Sequence, residues 1–194
     1  FVVDATQSIG AFQIDMVRDH IDALVFSGYK WATAGYGNAV LSTGGSWKAA
    51  VPPLVGWRSA KRAYDLENDR LDMLSEGIGH EMGHPPFPGI FAMGEALRLL
   101  SDPPENAISG RIKYLSAYLR EGLSELGIAI RSDGSESYAS GITLALFENA
   151  GQIKASLQER HVWVTARQGG LRISVHAYNS IEDLDWLLRE LRNG

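Results

Sequence analysis

The chemistry this chain could perform is concentrated in a few places. Asp4 ends a short apolar run, Phe1-Val2-Val3, and a second run, Ala23-Leu24-Val25-Phe26, leads into Ser27, Gly28, Tyr29 and Lys30. In open parallel sheets, ligands bind beyond the carboxyl ends of the strands, so a single crossover between these runs would point Asp4 and Lys30 into one crevice. A primary amine there is a potential covalent nucleophile. Arg172 lies in Leu171-Arg172-Ile173-Ser174-Val175-His176. Strand alternation puts Leu171, Ile173 and Val175 on one face and Arg172, Ser174 and His176 on the other. With the apolar face packed on helices, the Arg172 guanidinium is expected to point into a cleft, where its fork suits a carboxylate.

A third pattern, His80-Glu81-Met82-Gly83-His84, matches the H-E-x-x-H form of zinc hydrolases. That chemistry needs both histidines on one face of an α-helix. Gly77, Gly79 and Gly83 surround the motif, and Pro85, Pro86 and Pro88 follow it. An interior Gly costs about 1 kcal/mol and a Pro about 3 kcal/mol in a helix, which argues against a helix and hence against zinc. No metal site is therefore expected. Gly35-Tyr36-Gly37 is no dinucleotide loop, since Val40 occupies the third glycine position of G-x-G-x-x-G.

Composition narrows the classes further. The chain has 194 residues, 45% apolar and 21% charged, enough for a buried core in one or two compact units. Its net charge is −5, with no dense basic patch, so nucleic acid is not an expected partner. The chain has no cysteine, which excludes disulfides, thiolate metal sites and cysteine nucleophiles within it. No apolar run approaches the ~20 residues of a membrane span, so no membrane partner is expected. The chain opens inside what reads as a strand, with no initiator Met or signal-like stretch. The expectation is an incomplete chain of a soluble, cytoplasmic protein.

The elements that must position these residues can be read from periodicity. Phe1–Val3 and Ala23–Phe26 read as buried parallel strands joined by a crossover containing Ile9, Ile14, Val17 and Ile21. Ala39–Leu41 reads as a third strand. The stretch from Gly44 to Pro88 is rich in Gly and Pro and reads as long loops with a short helix around Ala60–Glu67. Ile90, Met93, Leu97 and Leu100 mark a helix starting at Gly89 and broken by Pro103-Pro104. Ile108, Ile112, Leu115, Leu119, Leu123 and Leu126 mark the next, stopped by Gly127. Strands are expected at Ile128–Arg131, Gly141–Phe147, Val162–Ala166 and Leu171–Ala177, with a helix near Gln152–Glu159. A capping box at Ser180 and Asp183 opens a last amphipathic helix through Leu184, Leu187, Leu188 and Leu191. The fold class expected is α/β, part of a parallel sheet followed by a small α+β unit.

Four separated strings also carry a family resemblance. Asp4-Ala5-Thr6-Gln7-Ser8-Ile9-Gly10 is followed by Asp22 through Trp31 and by Gly35-Tyr36-Gly37. Then come Gly83-His84-Pro85-Pro86-Phe87-Pro88-Gly89 and Leu171 through Asn179, with Glu182-Asp183. In this order they resemble the class V aminotransferases, fold type I pyridoxal-phosphate enzymes that include cysteine desulfurases, kynureninase-like and isopenicillin-epimerase-like enzymes.

The resemblance implies that residues 1–104 are the C-terminal part of a cofactor-binding large domain and residues 105–194 a small domain. It implies pyridoxal 5'-phosphate as cofactor, with Asp4 beside the ring nitrogen and Gln7 on the phenolic oxygen. Ser27 would contact the phosphate, and Lys30 would be the catalytic Schiff-base lysine that also shuttles the proton. Tyr29 stands where relatives often have His, and His84 where many have Thr; both are carried as cofactor-binding positions. Arg172 matches the arginine that grips the substrate carboxylate. The substrates implied are an amino acid and a keto acid. Relatives place a persulfide-carrying cysteine downstream of the lysine, so the cysteine-free chain points to an aminotransferase, with a lyase or epimerase next. A chain that keeps only fold and dimer surface is the remaining alternative. The resemblance further implies a homodimer in which the Gly83–Pro88 loop, with Phe87 and Phe91, crosses to the partner subunit.

Overall fold

The computed structural model describes residues 1–44, 54–65, 69, 72–74 and 77–193. The chain divides into two compact units, Phe1–Pro104 and Glu105–Gly194.

In the first unit, β1 (Val2–Asp4) pairs in parallel with β2 (Ala23–Ser27), with Asp4 opposite Val25. The adjacency and sense expected of the first two apolar runs are both found. β3 (Ala39–Thr43) lies on the other side of β2 and runs antiparallel to it, so this sheet is mixed. The crossover between β1 and β2 is a succession of turns. Ile9 and Ile14 pack against the core, whereas Val17 is 85% exposed. Leu24 and Phe26 of β2 are buried with Ala5, Ile21, Ala32 and Ala34. Met93 and Ala96 of α1 (Phe87–Ser101) close the same cluster. Helix α1 begins two residues earlier than the sequence suggests, because Pro88 sits in its first turn, where the missing N–H would have had no partner.

The short helix expected around Ala60–Glu67 is not found over its described part. Ala60 forms an isolated antiparallel bridge to Met73, residues 61–65 form turns and a bend, residues 66 and 67 lie outside the described residues, and a single 3-10 turn at Trp57–Ser59 precedes them.

In the second unit, α2 (Ala107–Glu125) places Ile112, Leu115, Leu119 and Leu123 on one fully buried stripe. Gly127, at φ +71°, ends it: the N–H of Ile128 bonds to Leu123 O and that of Gly127 to Ser124 O, both at 2.9 Å. A three-stranded antiparallel sheet follows, built of β4 (Ile142–Leu146), β5 (Thr165–Arg167) and β6 (Gly170–Ser174), with β6 central. Helix α3 (Ala150–Glu159) connects β4 to β5. The strand expected at Ile128–Arg131 is reduced to one bridge, Ile130 to Ala145. Helix α4 (Ile181–Asn193) ends the unit behind a reciprocal cap, in which Ser180 N–H donates to Asp183 Oδ2 and Asp183 N–H to Ser180 Oγ. The core joins Leu115, Leu119 and Leu123 to Leu157, Leu171, Ile173, Leu184 and Leu187. No described helix is long and apolar enough to cross a membrane.

Candidate active site

Parallel pairing of β1 with β2 puts their carboxyl ends side by side, and Thr6 ties them together. Its Oγ1 accepts from the Ser27 N–H at 3.2 Å, and its own N–H donates to Asp4 Oδ1 at 2.9 Å. The Thr6 hydroxyl and then its N–H hold the Asp4 carboxyl below the ordinary carboxylate value, and the nearby positive charge of Lys30 lowers it further. Asp4 and Lys30 therefore share one local field, with the carboxylate ionised at neutral pH.

The backbone around Lys30 is fixed from several sides. Gly28 N–H donates to Asn38 O at 3.2 Å, Ala34 N–H to Gly28 O at 2.8 Å and Thr33 N–H to Lys30 O at 2.9 Å. A Cβ on Gly28 would lie 2.0 Å from Asn38 Oδ1, so only glycine fits between Ser27 and Tyr29. Gly10, at φ +95°, lies against the Trp31 carbonyl, where a Cβ would come within 2.1 Å. The first turn of the crossover thus packs on the lysine loop.

Gln7 is exposed, but its amide is oriented: Trp31, buried in that packing, donates its indole N–H to Gln7 Oε1 at 2.9 Å. The Gln7 NH2 is left as the donor end. Lys30 is half-buried, with Nζ 5.5 Å from the centroid of the Tyr29 ring. Tyr29 stacks on Tyr36 at 5.2 Å and 12°. The Ser27 hydroxyl makes no hydrogen bond to a described residue and remains available.

His84 sits elsewhere in its contacts. Its ring meets Trp57 edge-on at 5.1 Å, and no described hydrogen bond or ion pair joins it to Asp4, Gln7, Ser27 or Lys30. The Trp57 turn is locked to the segment before His84. Ser59 Oγ donates to Glu81 O at 3.1 Å, and Arg58 pairs with Glu81 at 2.9 Å. His80 closes a 3-10 turn, Gly77–His80, and His84 lies beyond its end, so the two histidines do not share a face of an α-helix.

In the second unit, Leu171, Ile173 and Val175 are buried as the alternation requires, and Arg172 is half-buried on the opposite face. Its guanidinium makes no hydrogen bond or ion pair to a described residue. His176 departs from the expectation that it shares the Arg172 face: it is buried, because β6 ends at Ser174 and the alternation ends with it. Its N–H donates to Asn179 Oδ1 at 2.9 Å, and its ring stacks on Tyr178 at 4.5 Å.

Sequence reasoning missed Thr6, Trp31 and Asn38, which hold the site rather than form it. Asn38 donates from Nδ2 to Ala34 O and Gly89 O at 3.0 and 3.1 Å. A Trp directly after the lysine and a Thr between Asp4 and Gln7 were the available signals.

Comparison with known proteins places the chain in a family and a fold. The family model described as aminotransferase class-V matches residues 1–187. A probable cysteine desulfurase of Pyrococcus abyssi is 24% identical over 204 residues, covering 97% of this chain and 50% of that protein. The apo structure of a cysteine desulfurase from Thermococcus onnurineus NA1 superposes with a TM-score of 0.88 at 23% identity, covering 100% of this chain and 52% of that one. An alanine–glyoxylate aminotransferase from Nostoc sp. superposes at 0.70 with 18% identity, covering 99% and 52%. These likenesses show a common fold, and the chain spans about half the length of the relatives it matches. On the match over residues 1–187, the chain belongs to the class-V aminotransferase family.

Proposed function

We propose that the protein is a pyridoxal-phosphate enzyme acting on an amino acid, an aminotransferase in which the Lys30 amine is the point of covalent attachment. The observation that carries this reading is the pairing of a carboxylate kept ionised, Asp4, with a half-buried primary amine in its field, Lys30. The donor set fits the cofactor's polar groups. Asp4 would accept from a protonated ring nitrogen, the Gln7 NH2, oriented by Trp31, would donate to the phenolic oxygen, and the Ser27 hydroxyl would donate to the phosphate. Tyr29 forms the wall beside the amine. The bound group supplies an electron sink for the substrate's α-carbon. Lys30 moves the proton there, and Arg172 receives the substrate carboxylate.

The protein is further proposed to work as a homodimer. Phe87, Ile90 and Phe91, at the start of α1, are 57%, 47% and 76% exposed, an apolar cluster suited to an interface between copies. His84, held edge-on by Trp57, is proposed to donate to the phosphate bound by the partner subunit.

The test is the absorbance of the protein mixed with pyridoxal phosphate, followed in the visible range and compared with Lys30→Ala. A band that vanishes in the variant supports the reading, and an unchanged spectrum overturns it. Amino donors offered with keto acids then separate reaction classes. Turnover that needs no keto acid would make the enzyme a lyase or epimerase.

A further inference from the structure

The sheet of the second unit has two unlike faces. One packs on the helices through Leu171, Ile173, Thr143 and Ala145, all buried. The other carries Arg172 at its centre. Thr165 on β5 and Leu144 on β4 lie directly opposite Arg172 and so share its face.

Arg167, two residues beyond Thr165, has the same parity and is exposed. It is the diagonal neighbour of Arg172, at a Cα separation of about 7–8 Å. A third arginine extends the row. Arg131 N–H bonds to Leu144 O at 2.9 Å beside the Ile130–Ala145 bridge, which puts Arg131 opposite Leu144 and on the same face. Two strand spacings, about 10 Å, separate it from Arg172.

The rest of this face is neutral: Ile142, Leu144, Leu146, Thr165 and Ser174. None of the three guanidinium groups makes a hydrogen bond or ion pair to a described residue. Neighbouring like charges on a sheet face repel, and a cross-strand carboxylate would stabilise an Arg there. Here none is supplied, on a chain whose net charge is −5.

We infer that Arg167 and Arg172 together bind an amino acid with two carboxylates, the α-carboxylate on Arg172 and the side-chain carboxylate on Arg167. The proposal rests on the Arg172 assignment made above and names the substrate class. Each guanidinium presents a planar fork to one carboxylate, and the forks stand on adjacent strands at diagonal positions, so one small molecule spans both. A single-carboxylate amino acid would leave Arg167 unanswered. Arg131 lies beyond Leu144, on the far side of Arg172 from Arg167, and serves as the internal control.

The experiment titrates the protein, without added cofactor, with L-glutamate, L-aspartate, L-alanine and inorganic phosphate, and follows the arginine Nε–Hε signals by NMR. The tighter of the two dicarboxylates is expected to bind at least tenfold more tightly than L-alanine, about 1.4 kcal/mol, and to move the Arg167 and Arg172 signals together. Arg167→Gln is expected to abolish that preference while leaving L-alanine binding in place, and Arg131→Gln to retain it. Equal affinity for L-glutamate, L-aspartate and L-alanine overturns the inference. So does a preference that survives Arg167→Gln, or phosphate binding as tight as the dicarboxylate. Absence of the dicarboxylate preference in a protein that shows the Lys30-dependent band refutes this inference alone. A preference without that band refutes the cofactor reading alone.

Discussion

Gly28→Ala should damage the first unit by a route that can be isolated. The new Cβ would lie 2.0 Å from Asn38 Oδ1, 2.6 Å from Met93 Cε and 3.0 Å from the Ala34 Cβ. Met93 ends in a flexible thioether and can swing aside. Asn38 cannot, because its Nδ2 holds the carbonyls of Ala34 and Gly89. Displacing the amide breaks both bonds, each worth about 1 kcal/mol net, with a further penalty of about 1–3 kcal/mol for a carbonyl left buried and unpaired. Against this stands a gain of about 0.4–1 kcal/mol from stiffening the unfolded chain. The net expectation is a loss of about 2–4.5 kcal/mol. Asn38→Ala alone loses the same two bonds but also removes the buried Oδ1, which has no hydrogen-bond partner, and should cost about 2 kcal/mol. In that background Gly28→Ala meets only Met93 and Ala34, and its added cost should fall to near zero. The coupling in the double-mutant cycle is therefore about 2–4.5 kcal/mol. Urea unfolding measures it, with Trp163 and Trp186 replaced by Phe so that fluorescence reports the first unit. Additivity within about 0.5 kcal/mol would refute the account of Asn38 as the obstacle.

Two further outcomes follow from single contacts. Trp31→Phe removes the indole donor to Gln7 Oε1. It should weaken pyridoxal-phosphate binding by about fivefold, the equivalent of about 1 kcal/mol, with no further loss when Gln7→Leu is added, as measured by absorbance titration. Asp183 is held below its ordinary value of 3.8, first by the Ser180 N–H and then by the Asn179 side chain. Its contribution is full above that value and lost as pH falls through the lower value of the folded state. Asp183→Asn should therefore cost about 0.5–1 kcal/mol at pH 6 and nearly nothing at the lowest pH where the protein stays folded, as read from thermal unfolding across pH.

Much of the fold was legible because it is written locally. The stripe Ile112, Leu115, Leu119, Leu123 and the stop at Gly127 fix α2, and the alternation through Leu171, Ile173 and Val175 fixes the inner face of β6. The direction of β3 was not legible, since Ala39–Thr43 is equally apolar in either sense and only its pairing decides. The same holds for the parts that support the candidate site. Trp31 reaches back 24 residues to Gln7, and Asn38 reaches 51 residues on to Gly89. Nothing in the spacing of either residue reports such a partner. His176 was misplaced for a related reason, because period-two reasoning continued past the residue where the strand stops. The residues expected to do chemistry were easier to find than those that hold them in place.

The cysteine-free composition bears directly on the reaction. Two of the most similar proteins are described as cysteine desulfurases, yet none of the 194 residues here is a cysteine. A sulfur-accepting step needs a thiolate, since the protonated or absent thiol is no nucleophile. Nor is there a loop between the two candidate carboxylate-binding arginines to carry a substitute. β5 and β6 are joined by Gln168 and Gly169 alone, at φ +52° and +75°. Two consecutive positive φ values are the mark of the tightest hairpin, which leaves no residue free to swing. On the proposed aminotransferase reading, turnover through Lys30 should therefore be indifferent to thiol chemistry. Pretreatment with iodoacetamide is expected to leave the rate of keto-acid-dependent turnover within about twofold of the untreated protein, since a twofold change is only about 0.4 kcal/mol of barrier. Loss of turnover after alkylation, prevented by prior substrate, would mean that a thiol outside these residues performs the chemistry, and the aminotransferase reading would fail.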